Sequence, residues 1–400
     1  METKTVTLDD LVDVYIDNRG KTVPTVDRCD EYLPLIATNC ITDDHLYPQL
    51  LKTRSVDKDT YDTWFRAHLQ PGDILFVNKG TPGKVAMVPN PVNFVVAQDM
   101  VGLRIKPEYD TKYVFALLKS SKTRKRVDDM HVGTLIPHFK KSDFSNLKLE
   151  VIADLGCQRK IGSLYFDIFR KQNFNQQINE NLLRLMNVQW KNMFGSLNAE
   201  NGHFTDLATV AAGGTPSKKQ ADYFGGDISW ITPKDMSLTN DVFIERGLLN
   251  ITEAGLRGSS AKLLPKGTLL FSSRAPIGYL GIAANPVTTN QGFKSLVPKR
   301  NENTEYLYFL LKNLTSYIEG IAGGSTFKEI SGAGMKSVEF PLPTDNQIDA
   351  FHNIVTPMFD MVRNNEQQNK KLTDLRDLLL PRLLAGDIDL PNIETVMNNA

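Results

Sequence analysis

The chain has 400 residues, 41% of them hydrophobic and 23% charged, an ordinary globular composition with length for two or three domains. Its 46 Lys and Arg balance 46 Asp and Glu, so bulk charge gives no support to a nucleic-acid binder. Three scattered cysteines (Cys29, Cys40, Cys157) and six histidines without HExxH spacing exclude a disulfide scaffold, a four-thiolate site and a zincin helix.

The opening METKTVTLDD is acidic and lacks the basic-then-apolar pattern of a signal peptide, and no apolar run reaches the roughly 18 residues of a membrane span. The expectation is a cytoplasmic chain that does not meet a membrane. Residues 1–50 hold 4 basic and 10 acidic groups, whereas 101–150 hold 11 and 6, and 251–300 hold 7 and 1. A phosphate-binding surface would draw on the last two stretches. Otherwise folding mixes these charges into a solvated surface.

The first β-type run is ILFV (74–77), followed by a tight loop marked by Gly80, Pro82 and Gly83. That loop presents Asn78, Lys79, Thr81 and Lys84. Its GTPGK has neither P-loop spacing nor the hydroxyl after lysine, since Val85 stands there. Beyond TKYVFALLK (111–119), the cations Lys119, Lys122, Arg124, Lys125 and Arg126 crowd an apparent helix, either lining a ligand or simply exposed. His138, Lys140 and Lys141 follow. Apolar residues then recur at helical spacing through Ile161, Leu164, Tyr165, Ile168, Ile178, Leu182 and Leu185.

The chain then repeats itself. LLPKGTLLFSSRAPIGYLGIAANPV matches LQPGDILFVNKGTPGKVAMVPNPV with Gly267 on Gly72 and Phe271 on Phe76, 195 positions apart. Gln291 falls on Gln98 and Tyr306 on Tyr113, now 193 apart, and TEYLYFLLK (304–312) matches TKYVFALLK. In this frame Arg274 occupies the place of Lys79, next to Ser273. A second helical stripe runs through Ile348, Phe351, Val355, Phe359, Val362, Leu372, Leu375 and Leu379, interrupted by Pro357. A helix of about 35 residues would be about 50 Å long, more than a small domain needs. The two stripes therefore read as packing on each other in a coiled coil, against the plainer reading of two separate surface helices.

Catalytic signatures are missing. Asn90-Pro91-Val92 and Asn285-Pro286-Val287 lack the second proline and the aromatic of an adenine methyltransferase site. Gly213-Gly214-Thr215-Pro216 reads as a turn, because proline removes a donor that a phosphate would need. No GxSxG elbow occurs, and Asp128-Asp129 reads as a surface pair. A duplicated chain of this kind reads as a binder.

GGTPSKKQADYFGGDISWITPKDM (213–236) resembles the opening of the target-recognition domains of Type I restriction–modification specificity subunits, and KLTDLRDLLLPRLLAGDIDL (371–390) resembles their C-terminal conserved helix. LLFSSRAPIGYLGIA, GGSTFKEI and FPLPTDNQ, in between, also look like that family, while Arg19–Pro24 replaces GGTP in the diverged first copy. The resemblance implies a mixed α+β, pseudo-two-fold chain with target-recognition domains at 1–150 and 201–344. It puts helical spacers at 151–200 and 345–390, as two long antiparallel helices, and a polar tail at 391–400.

It implies no catalysis and no cofactor on this chain. Expected partners are double-stranded DNA, two methyltransferase subunits using S-adenosylmethionine, and possible motor-nuclease subunits using ATP and Mg. Each domain would read one half of an asymmetric bipartite target. The DNA-contact candidates are Lys21, Asn78, Lys79, Thr81, Lys84 and Lys140 in the first copy, and Thr215, Ser217, Lys218, Lys219, Lys234, Ser273 and Arg274 in the second. Trp230 reads as core. Leu182, Leu185, Leu372, Leu375 and Leu379 are the candidates for helix and partner contacts. A stand-alone DNA-binding regulator, or a diverged methyltransferase or nuclease, stays open as an alternative.

Overall fold

In a computed structural model of the chain, the described residues are 1–18, 20, 22–26, 32–51, 53–130, 137–324 and 328–387. They form two compact units, one from Met1–Phe174 with the segment from Asn369 onward, the other from Asn175–Gln368. No helix among the described residues is long and apolar enough to cross a membrane.

In the first unit Thr3–Thr7 pairs antiparallel with Lys148–Ile152. Asp10 closes the short helix that follows: its carboxylate accepts the Thr7 backbone N–H at 2.8 Å while Thr7 Oγ1 accepts from Asp10 N. The main sheet has the order Val12–Ile16, Met100–Ile105, Ile74–Val77, Val85–Met87. ILFV is a central strand buried at all four residues, which is why it lacks polar alternation. A second sheet sets Tyr32–Ile36 between antiparallel Arg54–Asp57 and parallel Val95–Val96.

The second unit repeats this order strand for strand. Asn201–His203 pairs with Glu339–Pro341, and Asp206 accepts the His203 N–H at 2.6 Å as Asp10 does from Thr7. The main sheet runs Ala208–Ala212, Lys294–Pro298, Leu269–Ser273, Ile277–Ala283, and gains an edge strand, Phe243–Ile244. Phe224–Ile231 lies between antiparallel Leu249–Ile251 and parallel Thr288–Thr289. Thus the sequence repeat is a repeat of topology.

Two helices of 40 residues each, Leu155–Phe194 and Asp345–Leu384, serve both units. At 1.5 Å per residue each is about 60 Å long. The second runs through Pro357 and Pro381 unbroken. Within the first unit, Ile161, Tyr165 and Phe169 share a core with Leu379, Leu380, Leu383 and Leu384. Within the second, Met186, Trp190 and Phe194 share one with Ile348, Phe351, Val355, Phe359 and Val362. Full burial of such side chains is worth about 1.5–3 kcal/mol each, so the domain cores bind the helices directly.

The polar stretches between the apolar stripes also pack on each other. In the first unit Gln172 Nε2 donates to the Asn369 carbonyl (3.0 Å) and to Thr373 Oγ1 (2.8 Å). In the second, Asn175 Nδ2 donates to Gln368 Oε1 and Asn365 Nδ2 to Asn179 Oδ1, both at 2.8 Å. In each unit the helices run antiparallel. Buried amides fix helix register because a slip would leave them unpaired. One expectation changes: Ile178, placed in the apolar stripe by its spacing, is 40% exposed, because amides such as Asn179 hold the interface there.

Candidate nucleic-acid interface

In the first unit the loop after ILFV is built on hydrogen bonds to two other segments. The Asn78 and Lys79 N–H groups donate to the Asp99 carbonyl at 2.8 and 3.3 Å, and the Gly80 N–H donates to the Pro137 carbonyl at 3.0 Å. This brings Lys79 beside Asp99 and His138, with Thr81 two residues further along the loop and Lys140 two residues beyond His138. Lys79, Thr81 and Lys140 are exposed. Lys79 Nζ stands 4.0 Å from Asp99 and Lys84 Nζ 3.8 Å from Asp43.

Asn78 is corrected. It is fully buried, its backbone carbonyl accepts from Phe139 N and its Nδ2 donates to the Phe139 carbonyl at 3.0 Å. It clasps the 137–141 segment from inside and presents nothing to a duplex. Lys21 lies outside the described residues. Beside Lys79 a small recess is lined by Thr38, Arg54, Gln98 and Asp99 among others. Gln98 takes φ +63°, a conformation few non-glycine residues adopt.

The basic helix is largely consumed by the fold. Lys119 donates to the Asp43 carbonyl at 2.7 Å and lies 4.4 Å from the Phe169 ring centre, and burial pulls its ammonium down to about 8. Lys122 and Arg126 both engage Glu150, which they hold below the usual carboxylate range, and Arg124 meets Asp43 at 3.5 Å. All of these carboxylates are distant in sequence.

In the second unit the GGTP turn packs hard against its neighbours. A Cβ on Gly213 would overlap the Asn290 carbonyl, and one on Gly214 the Ala261 backbone nitrogen, so both positions need glycine. Gly214 N donates to the Thr289 carbonyl at 2.8 Å, and the indole N–H of Trp230 donates to the Gly214 carbonyl at 3.0 Å. Trp230 is core. The exposed Thr215 hydroxyl donates to Gln291 Oε1. Next to Gln291, Gly292 approaches Pro233, neighbour of exposed Lys234, and accepts the Ser273 N–H at 2.7 Å. The turn Asn290–Gly292 therefore gathers Thr215, Lys234 and Arg274 at one edge, with Ser217, Lys218 and Lys219 exposed beyond Thr215.

Ser273 is corrected as well. It is fully buried, and its hydroxyl meets Lys294 Nζ at 3.3 Å. Ser273 and Asn78 are equivalent positions (273 − 78 = 195), and in both copies the strand stays inside for one residue more than the β-run implies. Arg274 Nη1 donates to Glu329 Oε2 at 3.0 Å, and Lys294 Nζ lies 3.5 Å from Glu329 Oε1. Gln98, Gln291, Arg54, Lys294 and Glu329 belong to these surfaces and were not selected from the sequence. The pairing of Gln98 with Gln291 in the repeat was the available signal.

The helix leucines divide. Leu379 is 3% exposed, inside the first unit's core with Ile161, Tyr165 and Phe169, so of the helix and partner contacts expected for it the structure has the helix contact. Leu375 packs against the same core and Leu182 against the second unit's, while Leu372 is half-buried. Leu185 is 55% exposed. Among the described residues no group of His, Cys, Asp and Glu could hold a metal ion.

The specificity subunit of the Type I restriction enzyme MjaIX of Methanocaldococcus jannaschii is 46% identical over 169 residues, 42% of this chain and 39% of that protein. That of the HindI enzyme of Haemophilus influenzae is 33% identical over 187 residues, 46% and 40% of the two chains. The match thus spans about two fifths of each relative's length. The crystal structure of a Type I restriction–modification S subunit from M. genitalium shares the fold, with a TM-score of 0.58 over 96% of both chains at 16% identity. Residues 1–184 and 198–375 both match the family model of the Type I restriction modification DNA specificity domain, and the chain belongs to that family.

Proposed function

We propose that this chain is the non-catalytic, sequence-reading subunit of a Type I restriction–modification complex. Its two recognition domains, 1–150 and 201–344, would each read one half of an asymmetric bipartite DNA target. The observation that carries the reading is the duplication: two sheets that share a four-strand order carry different residues in the loops at equivalent places, Lys79 in one and Arg274 in the other. Major-groove edges distinguish every base pair, so a few side chains per domain specify a half-site. Lys79, Thr81, Lys84 and Lys140 would serve one half-site, and Thr215, Ser217, Lys218, Lys219, Lys234 and Arg274 the other. Phosphate contacts set register and base contacts give sequence. Exposed Leu185 would dock a methyltransferase subunit.

S-adenosylmethionine would be bound by the methyltransferase partners, and ATP and Mg by motor-nuclease partners, in the cytoplasm. The zero net charge supports partner dependence, because little counterion release is available from this chain alone. The test is duplex binding by the full chain with and without methyltransferase subunits. Tight sequence-specific binding should need the partner. Equally tight specific binding by the chain alone would favour a stand-alone regulator, and saturable S-adenosylmethionine binding by it would favour an enzyme.

A further inference from the structure

Glu329 sits between two cations of the second unit. Its two carboxylate oxygens are divided between two cations: Oε2 accepts from Arg274 Nη1 at 3.0 Å, and Oε1 lies 3.5 Å from Lys294 Nζ. It is held there by the backbone, since its N–H donates to the Gly323 carbonyl at 2.8 Å and its strand segment bridges that of Arg274. Arg274 and Glu329 side chains are 38% and 37% exposed, while Lys294 is only 11% exposed. An ion pair this open adds little to stability, about 0–1 kcal/mol. It does offset, at close range, the charge of the one cation in the trio that a ligand can reach.

We propose that Glu329 is a built-in competitor for the DNA backbone: by occupying Arg274 it suppresses sequence-independent binding by the second domain. The inference rests on the reading of this surface as a DNA-contacting one. A non-specific contact gains only charge attraction, and a carboxylate 3.0 Å from Arg274 offsets that attraction at the point of contact. A correct half-site adds base contacts that outweigh the offset. The equivalent place in the first copy differs. The Lys79 backbone bridges that of His138, and its carboxylate neighbour Asp99 is 4.0 Å away. The screening is therefore strong in one unit and weak in the other.

The test is the salt dependence of binding to a short duplex of scrambled sequence, using the full chain and the variants Glu329→Gln, Glu329→Gln with Arg274→Ala, and Lys79→Ala. Each phosphate neutralised steepens the log–log salt slope by about 0.9. Glu329→Gln should gain about one such unit, with tighter binding at low salt, and the added Arg274→Ala should remove the gain. Should Lys294, left without its partner, spoil folding, Glu329→Gln with Lys294→Met removes the buried ammonium together with the carboxylate and should show a gain of the same sign. An unchanged or shallower slope in both folded variants, while Lys79→Ala still lowers the slope, overturns the competitor role but leaves the DNA-binding reading intact. If Lys79→Ala and both Glu329 variants all leave binding unchanged, the surface does not face DNA and both readings fall.

Discussion

The two units share a scaffold and differ at its edge. Both build the main sheet in the same order, cap the first short helix with an aspartate that accepts a backbone N–H, and bury the residue before the loop cation. At that edge the first unit has Lys79, His138 and a loosely placed Asp99. The second has Arg274 clamped to Glu329, together with a glycine turn that brings Thr215 onto Gln291. What is duplicated is the part that sets where loops stand, and what has diverged is the chemistry the loops carry. That is the pattern expected of a reader of two unlike half-sites.

The comparison breaks most visibly in the helices. Leu379 lies inside the first unit's core, so Leu379→Asp should cost about 3–5 kcal/mol by burying an unpaired charge. Leu185 is mostly exposed, so Leu185→Asp should change stability by no more than about 0.5 kcal/mol, yet abolish methyltransferase docking. Thermal melts and co-purification separate the two. A destabilised Leu185→Asp, or one that still assembles normally, would remove Leu185 as the docking residue.

A second difference is electrostatic. Glu366 accepts the Val242 and Phe243 N–H groups at 2.7 and 3.1 Å, and burial raises its carboxyl from 4.5 to about 8. The equivalent position in the first copy is neutral Asn173 (366 − 173 = 193). A carboxyl whose folded value is raised contributes stability that is complete below 4.5 and lost as pH climbs through 8. The second unit should therefore weaken across that window, and Glu366→Gln should flatten the trend. Parallel curves for wild type and variant would show that Glu366 does not control it.

The smallest effects on the sequence read belong to the paired positions Asn78 and Ser273. Asn78→Ala strands the Phe139 carbonyl and should cost about 1–3 kcal/mol, with Ser273→Ala nearer 1 kcal/mol. Neither should alter the sequence read. A changed half-site in either variant would return that residue to the contact surface.

The duplication was legible because Gly and Pro punctuate both copies at matching places and the buried strands are short apolar runs. The long helices were legible from apolar spacing, and their amide-lined stretches appeared as polar gaps. What spacing did not reveal was the destination of each cation. Arg274 meets a carboxylate 55 residues away and Arg124 one 81 residues away, contacts that exist only once the chain has folded. Nor did alternation show that Asn78 and Ser273 face inward, since a strand's last buried residue depends on what the next segment donates to it. Leu185 and Leu379 look alike in sequence, and only the packing around each separates fold from free surface.

The central claim is that each unit reads its own half-site. Its most direct measurement is to replace 201–344 with the corresponding domain of a relative, assemble the chimera with methyltransferase subunits and map the methylated sites. One half-site should change completely while the other stays as it was. Methylated sites altered in both halves would contradict the account.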